Sequence, residues 1–433
     1  MQAEARGRPQ GLAAYLVVTL AYWAFMLTDG ALRMLVLLHF HVLGFSPLEL
    51  AYLFLLYEVM GVVTNLSAGW IAARFGLTTT LYAGLLLQVG ALAALSQLDP
   101  AWALPLSVVF VMAVQGVSGV AKDLAKMSAK SAVKVLAPEG QGSLFRWVAL
   151  LTGSKNAVKG LGFLLGAGLL ALVGFQSAVL GMAAALGAIL LAVAALMPAG
   201  LPRARKSARF GEVFSKDASI NRLSLARLFL FGARDTWFVV GIPLYFYGVL
   251  SDGTPAGDHA AFFLVGSFMA AWVIGYGGVQ ALAPRLLRAG GHTAAESAAA
   301  LGLWVGVLAA IPAGLALAAL LAGAAAPVWL TAVLVAGLLA FGVVFALNSA
   351  LHSYLILAFT SAGRVTLDVG FYYMANAAGR LLGTLLSGLS YQWGGLPLCL
   401  GTAALLLAGS WYVTRRLDRG LRAVSPRERP LPS

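Results

Sequence analysis

Long apolar runs, separated by short polar connections, set the pattern of this chain. About twelve of them reach or exceed the ~20 residues that a membrane-spanning helix needs. The first three cover roughly 12–41, 50–73 and 77–95. The fourth starts at Trp102 and runs into a stripe of lysines, and the fifth and sixth cover 144–173 and 178–197. A polar, basic stretch, GLPRARKSARFGEVFSKDAS, then interrupts the pattern. Six further runs follow near 220–250, 260–287, 297–322, 328–358, 365–393 and 398–413. The pattern predicts an all-α membrane protein of about twelve transmembrane helices in two six-helix halves. Its expected parts are an N-terminal half at 1–198, a cytoplasmic basic linker at 199–218, a C-terminal half at 219–416 and a cytoplasmic basic tail at 417–433.

Composition agrees with the pattern. The chain has 433 residues, of which 61% are hydrophobic and only 10% charged, and the mean hydropathy is +0.88. So little polar surface rules out a soluble domain of this size. The net charge of +13 would suggest nucleic acid in a soluble protein. Here the charges sort by side of the membrane instead, and no nucleic-acid partner is expected. With the N-terminus inside, the inner connections carry Arg6, Arg8, Arg74, Lys134, Arg203, Arg205, Lys206, Arg209, Arg285, Arg288 and Arg364. The tail adds Arg415, Arg416, Arg419, Arg422, Arg427 and Arg429. Outer connections such as HVLGFSP, QLDP, SDGTPAGDH and QWGG hold no Lys or Arg. That is the positive-inside asymmetry, and it places both termini in the cytoplasm. The N-terminal residues lead straight into a long apolar run without a small-residue cleavage site, so a retained first helix is expected.

The most charged part of the apolar pattern is Gln115 to Leu170. It carries Lys122, Lys126, Lys130, Lys134, Arg146, Lys155 and Lys159 against Asp123 and Glu139. An ionisable side chain at the centre of a membrane helix costs at least ~2.5–3.5 kcal/mol, and it usually faces a cavity or pathway. Taken at ~1.5 Å of rise per residue, Arg146 lies near the inner mouth, Lys155 deeper and Lys159 close to the midplane. Lys122 falls at the inner edge of the hydrocarbon, with Lys126, Lys130 and Lys134 progressively in water as ordinary positive-inside residues. Arg33, Arg234 and Arg380 fall near the midplane of the first, seventh and eleventh runs. One sign of charge repeated in this way points to a cavity for an anion. Arginine offers a planar fork suited to phosphate or arsenate, and lysine a compact point charge.

The two halves echo each other. Lys159-x-x-Gly162-x-Leu164-Leu165 in the fifth run matches Arg380-x-x-Gly383-x-Leu385-Leu386 in the eleventh. Phe25-x-x-x-Asp29 in the first run matches Phe231-x-x-x-Asp235 in the seventh, each with an arginine close by. Such matches argue for a parallel internal repeat, with substrate held between the halves, as in the major facilitator superfamily. The stretch Gly69-Trp-Ile-Ala-Ala-Arg74-Phe-Gly76-Leu77 resembles that superfamily's loop motif. It has Ala73 where an aspartate is usual and Leu77 where a basic residue is usual. Val114-Gln115-Gly116 resembles the fourth-helix motif, with Met112 in place of its arginine.

A denser resemblance covers both halves. The stretches Thr19 to Glu58, Gly119 to Gly160, Phe229 to Leu244, Phe341 to Phe359 and Asp368 to Gln392 together resemble the ArsJ family of organoarsenical efflux permeases. The resemblance implies export of 1-arseno-3-phosphoglycerate and hence resistance to arsenate, from the inner membrane of a bacterium. It also implies a functional partner, the cytoplasmic glyceraldehyde-3-phosphate dehydrogenase that makes the compound. An organic-phosphate or phosphate antiporter would need the same cationic cavity and is the competing reading.

The candidate substrate-binding residues are therefore Lys159, Arg380, Lys155, Arg146, Lys122, Arg33, Arg234, Asn376, Tyr373 and His352. Arg33 lies four residues after Asp29, and Arg234 adjoins Asp235, so either could be an internal ion pair instead. Lys159 and Arg380 have no acid within one turn. Glu58 has no basic neighbour within a turn, which suits either a proton switch or a pair formed across helices. Asp29, Asp235, Asp368 and Asp123 complete the set for proton coupling or ion pairs. His352, Asn348, Tyr372, Tyr373 and Asn376 either hydrogen-bond substrate or join helices, and His39 and His41 lie at the outer end.

No Walker A pattern, metal-binding spacing or catalytic constellation is present, so neither an enzyme nor an ATP-driven pump is expected. Cys399 stands alone, which excludes an internal disulfide or a cysteine cluster. No cofactor or metal is expected, and the chain is expected to work in the bilayer as a single copy.

Overall fold

A computed structural model of the chain describes residues 7–75, 77–99, 101–136, 143–197, 214–287, 294–323, 326–360 and 365–424. These residues form helices and short connections, with no strand among them. The helices are α1 (Gly7–Val42), α2 (Pro47–Phe75), α3 (Leu77–Leu95), α4 (Leu104–Leu136), α5 (Ser143–Val173) and α6 (Phe175–Leu196). They continue as α7 (Ala218–Thr236), α8 (Ile242–Leu250), α9 (Pro255–Leu286), α10 (Ala294–Ala322), α11 (Val328–Phe359) and α12 (Val365–Val424). Most of the basic linker, the end of the tail, and the side chains of Arg146, Lys130 and Lys134 lie outside the described residues.

Among the described residues, ten helices are long and apolar enough to cross a membrane. The last of them, α12, is two limbs. Gly394 (φ −146°, ψ 20°) and Gly395 (φ +58°) leave helical geometry, and Pro397 cannot restore the broken hydrogen bond. The seventh expected run is not one of the ten, because it is divided. A π-helical turn, Trp237–Gly241, separates α7 from α8. Pro243 lies just beyond and has no amide to offer the turn before it, which is where widening of a helix is expected. The exposed turn amides are satisfied from α12: the Ser387 hydroxyl accepts from Val240 N at 3.1 Å and from Gly241 N at 3.2 Å. With α12 taken as two limbs and the divided run as one, the crossings number twelve, as the apolar pattern predicts.

Local sequence sets several helix starts. Ser46-Pro47-Leu48-Glu49 is a capping box opening α2: Glu49 Oε2 accepts from Ser46 N at 2.8 Å, and Pro47 takes the first position, where no amide is needed. Asp217 caps α7 by accepting from the amides of Ser219 and Ile220. Outward faces are apolar, with Leu172, Leu191, Leu321 and Leu405 each exposed by more than 70%. Surface of that kind belongs against lipid.

By packing, the chain divides into two compact units. One comprises Met1–Phe210 with Phe246–Gly277, the other Gly211–Tyr245 with Gly278–Ser433. In the first unit α1 packs on α5, α4 and α6, and α2 and α3 both pack on α4. In the second, α7 and α10 pack on α12, and α11 packs on α10. Glycines allow the tightest approaches. A Cβ added to Gly162 of α5 would stand 3.1 Å from Gly30 Cα of α1, and one added to Gly383 of α12 would stand 2.9 Å from Asp235 Cβ of α7. Backbones this close bring polar groups on the paired helices within reach of one another. Both contacts fall at the positions that the repeated Lys/Arg-x-x-Gly pattern marks.

Candidate functional site

The close α1–α5 contact places the ammonium of Lys159 against the carboxylate of Asp29, Nζ to Oδ2 2.7 Å. Asp29 is 3% exposed and also accepts from the Tyr57 hydroxyl of α2 at 2.5 Å. One turn along α1, Arg33 Nη2 donates to Glu58 Oε1 at 3.2 Å. The Arg33 guanidinium also lies 5.1 Å from the Phe54 ring centroid and 5.7 Å from that of Tyr57. Lys122 of α4 is 8% exposed, and its ammonium sits 4.0 Å from the Tyr57 ring centroid. Among the described residues no carboxylate ion-pairs with Lys122.

Asp29, Arg33, Phe54, Tyr57 and Gln115 line a small pocket beside these pairs. Arg33 lines it, Lys159 is bonded to Asp29 of its lining, and Lys122 sits over the ring of Tyr57. The local surplus is positive. Desolvated charges of one sign beside an aromatic wall suit an anionic ligand carrying an apolar or hydroxylated body.

The second unit repeats half of this arrangement. The α7–α12 contact places Arg380 Nε 3.1 Å from Asp235 Oδ2, and Arg234 Nε is 2.6 Å from Asp235 Oδ1. Asp235 is fully buried. So the aspartate at the same place in each repeat receives the cation at the same place on its partner helix.

Several sequence expectations change here. Arg33 does not pair with Asp29, four residues before it; it pairs with Glu58 across helices. Glu58 is accordingly not a lone intramembrane carboxylate. Lys159 and Arg380, which have no acid on their own helices, each gain one from a neighbouring helix. The Arg234–Asp235 pair forms as adjacency suggests. Lys122 is buried inside the first unit. Lys155 lies half-buried one turn before Lys159.

The remaining acids are elsewhere. Asp123 pairs with Lys126 and accepts from Thr64 at 2.5 Å and Asn65 at 3.3 Å, tying α2 to α4. Asp368 accepts from Thr360 at 2.8 Å, near the start of α12. Asp123 also lies within electrostatic reach of Lys122, which links it to the cluster around Asp29. In the last turn of α1, His39 stacks on Phe175 at 4.1 Å and His41 meets the Tyr247 ring edge-on.

One residue that sequence reasoning passed over is Arg227. It is 5% exposed on α7, with Nε donating to Asn376 Oδ1 at 3.0 Å and Nη1 to Ser349 Oγ at 3.2 Å. Its guanidinium lies 4.1 Å from the Phe231 ring centroid and 5.1 Å from that of Tyr372. The candidates Asn376, Tyr373 and His352 gather around Arg227 rather than around Arg380: His352 lies 6.5 Å from the Tyr372 ring, and Tyr373 packs edge-on against Tyr372. The available signal was spacing, since Arg227 and Arg234 are seven residues, two turns, apart on one helix face.

No protein-family model and no curated protein matches the sequence. Solved structures do match the fold. A proton-dependent oligopeptide transporter superimposes with a TM-score of 0.68 at 15% identity, over 96% of this chain and 99% of the other. A POT-family transporter in complex with a thioalcohol-conjugated peptide gives 0.71 at 13%, over 95% and 96%. A point mutant of the nucleoside transporter NupG gives 0.66 at 14%, over 94% and 98%. At such identity the likeness is one of fold, and it extends over nearly the whole of each chain. The chain is an all-helical membrane protein with the major facilitator fold.

Proposed function

We propose that this protein is a secondary transporter that exports a small organic anion from the cytoplasm by alternating access. The observation that carries this reading is the grouping of Arg33, Lys159 and the buried Lys122 around Asp29 and Tyr57, two of the residues that line the pocket. A structural ion-pair network would balance its charges. Here Lys122 is buried without a carboxylate of its own among the described residues, and an anionic ligand would supply the missing charge. The transporter fold adds weight to the reading, because solved structures of the same fold include peptide and nucleoside carriers.

For the substrate, the proposal is 1-arseno-3-phosphoglycerate, exported from a bacterial inner membrane with both chain termini in the cytoplasm. Support comes from the resemblance of five stretches in both halves to the ArsJ permeases, and from cations suited to two oxyanion groups. A cytoplasmic glyceraldehyde-3-phosphate dehydrogenase would supply the compound. The matching experiment is arsenate tolerance of a sensitive cell expressing this protein with and without that dehydrogenase. Tolerance only when both are present is the expected result; equal sensitivity in all combinations would exclude the arsenical. An organic-phosphate antiporter remains the second reading, favoured by the same cations. It would show exchange of labelled glycerol phosphate in proteoliposomes and no arsenate phenotype.

A further inference from the structure

The second unit contains a polar nest that the reading above does not use. Its floor is buried. His352, Asn348 and Ser349 of α11 and Ser224 of α7 are each 2% exposed or less. Its rim is half-exposed and consists of Asn376 and Tyr373 of α12 and Gln280 of α9. Arg227 enters between them. Two sides of its guanidinium are fixed by Asn376 and Ser349, and Gln280 Nε2 donates to the same Ser349 hydroxyl at 3.2 Å.

Two independent features mark this nest as incomplete. First, Arg227 is a buried cation without a carboxylate partner among the described residues, while Arg234 and Arg380 next along the cluster share the single carboxylate of Asp235. Second, both ring nitrogens of His352, the Asn348 Oδ1 and the Ser224 hydroxyl are buried without hydrogen-bond partners. Native proteins rarely bury such atoms unsatisfied, and His352, whose two ring nitrogens lie beside the Arg227–Tyr372 stack, asks for an occupant. Neither α7 nor α11 supplies one.

We infer that the second unit holds a binding site of its own for a tetrahedral oxyanion, a phosphate- or arsenate-type group, with Arg227 as its principal ligand and His352 beside it. An oxyanion balances the surplus guanidinium and accepts from the free side of the Arg227 fork. A neutral imidazole adds one donor. Lysine at 227 would keep the charge but lose the fork that Asn376 and Ser349 now hold in place.

The site can be tested without any transport assay. The full chain, purified in detergent, is titrated calorimetrically with inorganic phosphate. Arg227→Gln and Arg227→Lys should each weaken binding roughly 10- to 100-fold, and His352→Ala should weaken it to a smaller extent. The Lys130→Gln variant should keep the Arg227-dependent binding. Phosphate titrations of the two Arg227 variants that match the unaltered chain would overturn the inference, and Arg227→Lys keeps the test decisive should Arg227→Gln fail to fold. Equal phosphate affinity in nanodiscs of zwitterionic lipid and of phosphatidylglycerol supports a soluble ester as occupant. Loss confined to the phosphatidylglycerol discs would assign the site to a lipid headgroup and overturn the soluble source. The inference stands apart from the arsenical reading: phosphate binding that depends on Arg227, with no arsenate phenotype in cells, would remove only the latter.

Discussion

Replacing Lys159 with Gln tests whether the Asp29–Lys159 pair is part of the fold or a pair on offer to substrate. The charges lie 2.7 Å apart with Asp29 fully buried, so their gross attraction is roughly 6 kcal/mol at an effective dielectric constant of about 20. Desolvation of both groups offsets part of that. Breaking one partner of such a buried pair leaves the other uncompensated and typically costs about 3–5 kcal/mol. Tyr57 still donates to Asp29, which places the expected loss toward the lower end of that range. Thermal unfolding of the purified chain in detergent should register it as a midpoint lowered by roughly 3–6 °C. The double variant Asp29→Asn with Lys159→Gln leaves a neutral hydrogen-bonding pair and should regain most of the loss, while transport stays impaired if Lys159 also meets the anion. Strict additivity of the two single losses would refute the reasoning, because a pair that couples through charge cannot be additive.

Other expectations follow from particular contacts. Glu58→Gln removes the acid that neutralises Arg33, and efflux from vesicles should then lose its dependence on an imposed pH gradient at fixed membrane potential. A wild-type chain already indifferent to that gradient would reduce Glu58 to holding Arg33, since an anion leaving a negative interior already gains ~2.3 kcal/mol per charge per 100 mV. Ser387→Ala strands the Val240 and Gly241 amides of the π turn and should cost about 1–3 kcal/mol, read as a lowered unfolding midpoint; an unchanged midpoint would show that the turn closes without the hydroxyl. Lys130→Gln should leave transport intact in a correctly oriented chain, and complete loss would show that the substrate path extends to the inner end of α4.

The sequence shows the helices, the repeat and the charged positions, because apolar run length and short spacings are local properties. Phe25-x-x-x-Asp29 and Phe231-x-x-x-Asp235 mark the two aspartates, and Lys159-x-x-Gly162 and Arg380-x-x-Gly383 mark the two cations. Which acid meets which cation is not local. Spacing along α1 suggested Asp29 with Arg33, yet the glycine contact between α1 and α5 turns Asp29 toward Lys159 and leaves Arg33 to Glu58 on α2. Arg227 escaped notice for a related reason. It has no acid or motif beside it in the chain, and its partners Asn376 and Ser349 are more than 120 residues away. The division of the seventh run had a visible cue in Pro243, but only the structure shows Ser387 closing the turn.

The most direct test of the central claim uses everted membrane vesicles, whose cytoplasmic face is turned to the bath. Radiolabelled arsenate is supplied with glyceraldehyde-3-phosphate dehydrogenase, its aldehyde substrate and its nicotinamide cofactor. Vesicles containing this protein should accumulate label only when all components are present, and Lys122→Gln should abolish the accumulation while the protein remains folded in the membrane. Label that enters equally without the dehydrogenase, or equally in vesicles lacking the protein, would contradict export of an organic arsenical by this chain.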